Sequence, residues 1–261
     1  KQEFHKLPRA PHNPHLFPDL FTTALVDIQR NRYPDVLALE ASRFCIDEEP
    51  LFYFNANWVL GRTGIATHGP LENEHAEFWK MVWHSKACLI VMLVNLKEQD
   101  KPKCSQYWPG EQPMKFEEGA FTISCPFAAT DKSVVRRMML LEKNGEKRHL
   151  TQFHVTHWPD KGVIDKKDLA EIILEVDQIR SQYPLLPILG HCSAGIGRTG
   201  TFFAVLEGFD RLKKGKDSPT LVFDIVSALR AERVFMVQTP EQYVLVYETL
   251  EYLKAYLETI K

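Results

Sequence analysis

The chain has 261 residues, with 32 Lys+Arg against 34 Asp+Glu, a formal charge of −2, 44% hydrophobic residues and five cysteines. That length holds one large domain or two small ones, and the composition is that of a globule rather than a disordered or fibrous chain. The balanced charge gives no reason to expect nucleic acid or an anionic membrane as partner, and an odd handful of cysteines argues against a disulfide scaffold and for a reducing, cytoplasmic setting.

The first residues, Lys1-Gln2-Glu3-Phe4-His5, carry no apolar signal-peptide core, and the absence of an initiator Met points to a trimmed chain. Loop-forming residues concentrate at Leu7–Pro18 and Gln99–Pro113. Neither stretch separates two cores, so one domain over 1–261 is expected, with about 1–29 as a helical and loop extension. Asp19–Asn31 puts Leu20, Ala24, Leu25 and Ile28 on one face behind Pro18, which predicts a helix. A strand is predicted at Phe52–Val59 and a helix at Glu74–Lys86, where Phe78, Met81 and Val82 align. Cys88–Leu93 is a near-continuous apolar run, as in a strand covered on both faces, and it leads to Asn95 well short of the ~18 residues of a membrane span. Strands follow at Phe121–Pro126, Arg136–Glu142 and Arg148–Val155. Asp165–Gln182 reads as a helix with Asp165 as its cap. Leu186–His191 is a second buried strand, and helices are predicted at Thr199–Lys214, ended by Gly215, and at Ser218–Ala231. A last helix, Pro240–Ile260, begins after Thr239 with Gln242 completing a capping box. The fold class is α/β, a twisted mixed sheet flanked by helices.

The stretch richest in chemistry is His191-Cys192-Ser193-Ala194-Gly195-Ile196-Gly197-Arg198-Thr199-Gly200, between the last predicted strand and an apolar helix. A tight glycine-bearing loop at a helix N-terminus turns successive backbone N–H groups inward and forms an anion site. The same field stabilises a cysteine thiolate at its mouth. Arg198 offers a planar fork to two oxygens of a tetrahedral anion, and Thr199 is placed to hydrogen-bond the sulfur as it leaves. Most lone cysteines near strands are packing residues, but the arginine six positions on and the helix start argue for more. Gly195-Ile196-Gly197-Arg198-Thr199-Gly200 also matches the dinucleotide pattern G-x-G-x-x-G. That fingerprint further requires a strand ending in an acidic residue about 20 positions later, and here the chain continues as helix.

The ten residues His191–Gly200 resemble the active-site motif of the protein tyrosine phosphatases, in the form characteristic of the phosphotyrosine-selective branch. The resemblance implies a cysteine-dependent phosphatase fold with a phosphate-binding strand–loop–helix. It implies Cys192 as nucleophile, Arg198 and the amides of Ser193, Ala194, Gly195, Ile196 and Gly197 as the phosphate cradle, and Thr199 and His191 as support. Thr156-His157-Trp158-Pro159-Asp160-Lys161-Gly162-Val163 is similar to the family's mobile acid-bearing loop, with Asp160 as general acid and Trp158 as pivot. Arg30-Asn31-Arg32-Tyr33-Pro34-Asp35-Val36 resembles the phosphotyrosine-recognition loop, where Tyr33 would stack on the substrate ring and Asp35 hold its backbone. Val237-Gln238-Thr239-Pro240-Glu241-Gln242-Tyr243 resembles the loop that positions the hydrolytic water, through Gln238 with Gln242 nearby. Glu98 would pair with Arg198, and Lys103, in Lys103-Cys104-Ser105-Gln106-Tyr107-Trp108-Pro109, with Asp160. Arg30, Pro34, His68 and Ile164 stand where the family usually has other residues.

The implied activity is hydrolysis of phosphotyrosine in proteins through a cysteinyl-phosphate, with no cofactor and no metal. Two other classes compete. A pseudo-phosphatase would bind without turnover, but such domains usually lose the acid, the recognition tyrosine or the water-positioning glutamine, and Asp160, Tyr33 and Gln238 are present. A dinucleotide-binding oxidoreductase lacks its acidic strand. Cys45, Cys88, Cys104 and Cys125 are expected to be packing residues.

Overall fold

The computed structural model describes residues 2–9, 11 and 13–260. After a short helix α1 (Thr22–Val26) come strands β1 (Ala56–Val59) and β2 (Gly64–Thr67), helix α2 (His75–Ser85) and strand β3 (Leu89–Met92). A small hairpin, β4 (Lys97–Glu98) and β5 (Lys101–Pro102), precedes β6 (Met114–Phe116), β7 (Phe121–Asp131), β8 (Val134–Lys143) and β9 (Glu146–Val155). The chain ends with α3 (Lys166–Arg180), β10 (Ile188–His191), α4 (Gly197–Lys213), α5 (Leu221–Glu232) and α6 (Pro240–Thr259). Eight strands form one mixed sheet in the order β1-β2-β10-β3-β9-β8-β7-β6, and β4-β5 stands apart.

β10 occupies the middle of the sheet, parallel to β2 on one side and β3 on the other. All residues of β3 and β10 are buried, which accounts for their apolar runs: helices cover both faces there. Successive residues of a strand face opposite ways. A Cβ on Gly190 would stand 2.8 Å from the Phe203 ring of α4, while the next residue, His191, faces Phe78 of α2 at a ring separation of 6.3 Å. Gly64 of β2 meets Phe203 equally closely, so two glycines let α4 press onto β2 and onto β10, the strand that leads into its own N-terminus.

Most predicted elements lie where the pattern put them, and the differences have local causes. The helix expected over Asp19–Asn31 is broken into 3₁₀ turns at Pro18–Leu20 and Ile28–Arg30 around the five-residue α1. Side chains compete for its backbone groups. Thr23 N–H donates to Glu40 Oε2 at 2.9 Å, and the Asn31 amide donates to the Ala24 and Ile28 carbonyls. The strand expected from Phe52 begins at Ala56, and the strand expected to stop at Pro126 runs to Asp131 through an irregular register between Ser124 and Phe127, where a proline without an N–H is tolerated. β2 was not legible, because four small or mixed residues carry almost no strand signal by themselves. None of the described helices is long and apolar enough to cross a membrane.

Candidate active site

The β10–α4 connection has the geometry of an anion cradle, and a buried arginine sets it. Arg233, just after α5, is fully buried and donates to Ala194 O (3.0 Å) and Gly195 O (2.8 Å) of the loop, and to Asn55 Oδ1 and Asn57 Oδ1 (2.7 Å each). In a trans peptide the C=O and the following N–H point in opposite directions. Drawing the Ala194 carbonyl back to Arg233 therefore turns the Gly195 N–H forward, and it donates to Cys192 Sγ at 3.2 Å. The same constraint on the Gly195 carbonyl directs the Ile196 N–H into the loop. Gly195 takes φ +72°, and a Cβ there would lie 2.1 Å from Thr67 O, so this position admits only glycine.

Cys192 is buried at the mouth of the cradle. Burial pushes its thiol pKa up, but the Arg198 charge, the Thr199 hydroxyl and amide, and the Gly195 N–H outweigh this and hold it below the usual thiol value. Thr199 Oγ1 is buried without a hydrogen-bond partner among the described residues, and its hydroxyl lies where it favours ionisation of the Cys192 sulfur. The cysteines that do no such work differ. Burial raises the Cys88 thiol to about 11 and the Cys104 thiol to about 12. Cys45 is exposed and Cys125 partly so, which corrects the expectation that both are packing residues.

Arg198, also buried, is gripped as a fork. Nη1 donates to Glu98 Oε1 (2.7 Å) and Trp158 O (2.8 Å), and Nη2 to Glu98 Oε2 (3.1 Å) and Asp160 Oδ1 (3.3 Å). Asp160 receives a second cation, Lys103 Nζ at 2.5 Å. Partial burial raises the Asp160 pKa, but Lys103 and Arg198 together bring it below the ordinary aspartate value. The loop that carries Asp160 thus lies folded down on the cradle. Its Gly162 carbonyl accepts from Trp158 Nε1 (3.1 Å) and Gln242 Nε2 (3.3 Å), and a Cβ on Gly162 would stand 2.8 Å from the Pro159 ring.

Behind the cradle a chain of buried dipoles fixes His191. Its Nδ1 faces Cys192 O (3.1 Å), which can only accept, so Nε2 accepts from the Tyr107 hydroxyl (2.7 Å), which in turn accepts from Gln152 Nε2 (2.6 Å). Burial drives the His191 pKa down to about 3, so it is a neutral support.

Tyr33, Asp35, Lys103, Asp160, Cys192, Ser193, Ala194, Ile196, Gly197, Arg198, Gln238 and Gln242 all line one cleft. His191, Thr199, Glu98 and Trp158 support it from behind, as the contacts above show. Tyr33 hydroxyl and Ser193 Oγ are 2.9 Å apart, and Asp35 is exposed at the rim. Gln238 is exposed over the start of α4, its Oε1 3.0 Å from where a Gly197 Cβ would be. Gln242 is buried and hydrogen-bonded through both its amide oxygen and its amide nitrogen. Its Oε1 accepts from the Gln238 and Thr239 N–H groups and its amide reaches Gly162, so it ties helix cap, glutamine loop and acid loop together.

A model of the family described as protein-tyrosine phosphatase matches residues 27–252. The chain belongs to the protein tyrosine phosphatase family. It is 35% identical over 238 residues to human tyrosine-protein phosphatase non-receptor type 12, covering 87% of this chain and 30% of that relative. It is 38% identical over 226 residues to mouse receptor-type tyrosine-protein phosphatase eta, covering 82% of this chain and 18% of that relative. The chain therefore spans under a third of the curated relatives it matches. A solved structure of PTPN18 in complex with HER2-pY1196 phosphopeptides superposes with a TM-score of 0.81 at 29% identity, covering 87% of this chain and 82% of that one.

In this phosphatase domain the sequence reading missed Arg233, which orients the cradle, and Arg32. Arg32 Nε and Nη2 donate to Gly69 O (2.8 Å) and Pro70 O (2.7 Å), pinning the Tyr33 loop to the segment after β2. A lone arginine at the end of a helix has the signature of a solvated charge, and nothing local distinguishes Arg233 from Arg230. A second cavity, bordered by Val82, Cys88, Leu150, Ile179 and Tyr183, has no activated nucleophile on its walls.

Proposed function

We propose that this domain hydrolyses phosphotyrosine in proteins in two steps through a cysteinyl-phosphate. The observation that carries the proposal is the convergence on one cleft of a thiol with lowered pKa, a doubly forked arginine and a carboxylate held on that arginine. The Cys192 thiolate attacks phosphorus, forming the S–P bond as the P–O bond to the tyrosine ring breaks. Arg198 and the inward N–H groups stabilise the equatorial oxygens. Asp160 gives its proton to the departing phenolate and then takes one from water as that water attacks phosphorus, the S–P bond breaks, and the thiolate returns. Gln238 orients the water.

The lowered Asp160 pKa bears on this reading. A general acid must carry a proton, yet Lys103 and Arg198 hold this carboxyl ionised. A phosphate dianion docked on Arg198 offsets that positive field, and the added negative charge raises the Asp160 pKa at the moment the proton is needed. Loss of the Arg198–Asp160 contact to the phosphate frees the carboxyl to face the leaving oxygen. Tyr33 provides a wall that suits an aryl phosphate and leaves a shorter phosphoserine out of reach of Cys192. A nucleophile this easily oxidised suits a reducing compartment such as the cytosol.

The test is release of phosphate from a phosphotyrosine and a phosphoserine peptide, with Cys192→Ser and Asp160→Asn variants. We expect hydrolysis of the phosphotyrosine peptide alone, none from Cys192→Ser, and a fall of about 10²–10⁴ in kcat for Asp160→Asn. Activity that survives Cys192→Ser refutes the nucleophile. Binding without turnover by the unaltered protein identifies a pseudo-phosphatase instead.

A further inference from the structure

We infer that the cleft selects phosphotyrosine peptides with acidic residues on one flank only, because the rim around the cradle is segregated by charge. This rests on the phosphatase reading above and adds the class of substrate. The rim segment supplied by the Tyr33–Val36 loop carries one carboxylate, Asp35, and no available cation. Arg32 is spent on the Gly69 and Pro70 carbonyls. Arg30 pairs with Asp27 (3.0 Å) and Glu77 (3.6 Å), and Pro34 has no charge to offer.

The rim segment supplied by the β4–β5 hairpin and the acid loop is the reverse. Lys101, Lys103 and Lys161 all line the cleft there. Lys103 is committed to Asp160, whereas Lys101 and Lys161 are exposed and make no ion pair among the described residues. Lys101 stands on a tight hairpin. Its two turn residues, Gln99 and Asp100, take φ +49° and +60°, the left-handed pair of a type I′ turn, although neither is glycine. On the strands beside that turn, paired Glu98 holds Arg198 and Lys101 stands at the rim. The residue that grips Arg198 is thus the backbone partner of the outer lysine.

A peptide laid across the cleft meets this positive segment on one side of its phosphotyrosine and Asp35 with Pro34 on the other. Glutamate or aspartate is attracted on the first side and is repelled or ignored on the second.

The experiment uses two isomeric phosphotyrosine peptides, one with three glutamates before the phosphotyrosine and alanines after it, the other reversed. The readout is the ratio of their kcat/KM values, in which any general loss of catalytic competence cancels. We expect a ratio of about tenfold for the unaltered chain at about 0.1 M salt, collapsing toward one near 1 M as the screening length falls from ~10 Å to ~3 Å. Lys101→Glu is expected to reduce the ratio at least threefold, and Pro34→Arg to reduce it by raising activity on the slower isomer. Equal rates on the two isomers, or a ratio indifferent to salt and to Lys101→Glu, overturn the inference and leave the phosphatase reading standing. Failure to hydrolyse either peptide overturns both.

Discussion

Replacing Arg233 by Met tests whether the anion cradle is held from behind. The guanidinium has four acceptors at 2.7–3.0 Å, two of them loop carbonyls and two of them asparagine oxygens. Those asparagines cannot turn to find other partners. The Asn55 amide is bound to Asn31 Oδ1 and Val36 O, and the Asn57 amide to Leu39 O and Ser42 Oγ. Truncation therefore orphans four acceptors, three of them buried and each of those worth about 1–3 kcal/mol, while the buried cation's own desolvation cost is recovered. Burial lowers the Arg233 pKa only to about 10, so the side chain is charged at neutral pH and that recovered cost is real. The net loss is about 4 kcal/mol, which for a chain of this size lowers Tm by about 8 °C. With the Ala194 and Gly195 carbonyls released, the Gly195 and Ile196 N–H groups lose their aim, and kcat on an aryl phosphate should fall about a hundredfold. Arg233→Lys keeps the charge but cannot span four acceptors, so it should recover less than half of either loss. The assays are thermal unfolding and steady-state kinetics of both variants. An Arg233→Met protein with Tm within about 2 °C of the parent and undiminished kcat would refute the reasoning.

Two further outcomes follow from the titrating groups. Burial lowers the pKa of His154 to about 4 and of His191 to about 3, so the unfolded chain binds more protons than the native one once pH drops below the ordinary histidine value of about 6.5. The stability these neutral histidines confer is complete above that pH and is lost as pH falls toward their native values. Urea midpoints at pH 7 and pH 5 should reveal a loss of about 4 kcal/mol, and equal midpoints would contradict the burial argument. Separately, iodoacetate near pH 6 should label Cys192 ahead of exposed Cys45 and leave Cys88 and Cys104 untouched in the native protein, as peptide mass spectrometry would show. Labelling in simple order of exposure would remove the case for an activated thiol.

The site was legible where its chemistry is contiguous. Cys192 to Thr199 occupy one strand–loop–helix turn, so cysteine, cradle and arginine sit together in the sequence as they do in space. Asp160, Glu98, Lys103, Tyr33 and Gln238 were assigned to the same site by resemblance, and the fold brings them to one cleft or directly behind it. The broken helix around α1 was not legible, because its backbone donors are claimed by Glu40 and Asn31, whose approach no local periodicity encodes. β2 was missed for a related reason: it is a strand because β1 and β10 pair with it, and its own four residues argue little.

The sequence by itself determined the alternation of buried strands and amphipathic helices, the glycine-bearing loop with its cysteine and arginine, and the caps that start α3 and α6, all of which depend on residues within a turn or two of one another. Only the tertiary structure decided which way the loop's amides face. That choice belongs to Arg233, Asn55 and Asn57, each more than thirty residues from the loop, and they act through hydrogen bonds that exist only once the sheet and α5 have packed. It also decided the charge of the cleft rim, since whether a lysine or arginine is available to a ligand depends on which carbonyls and carboxylates the fold has already placed beside it.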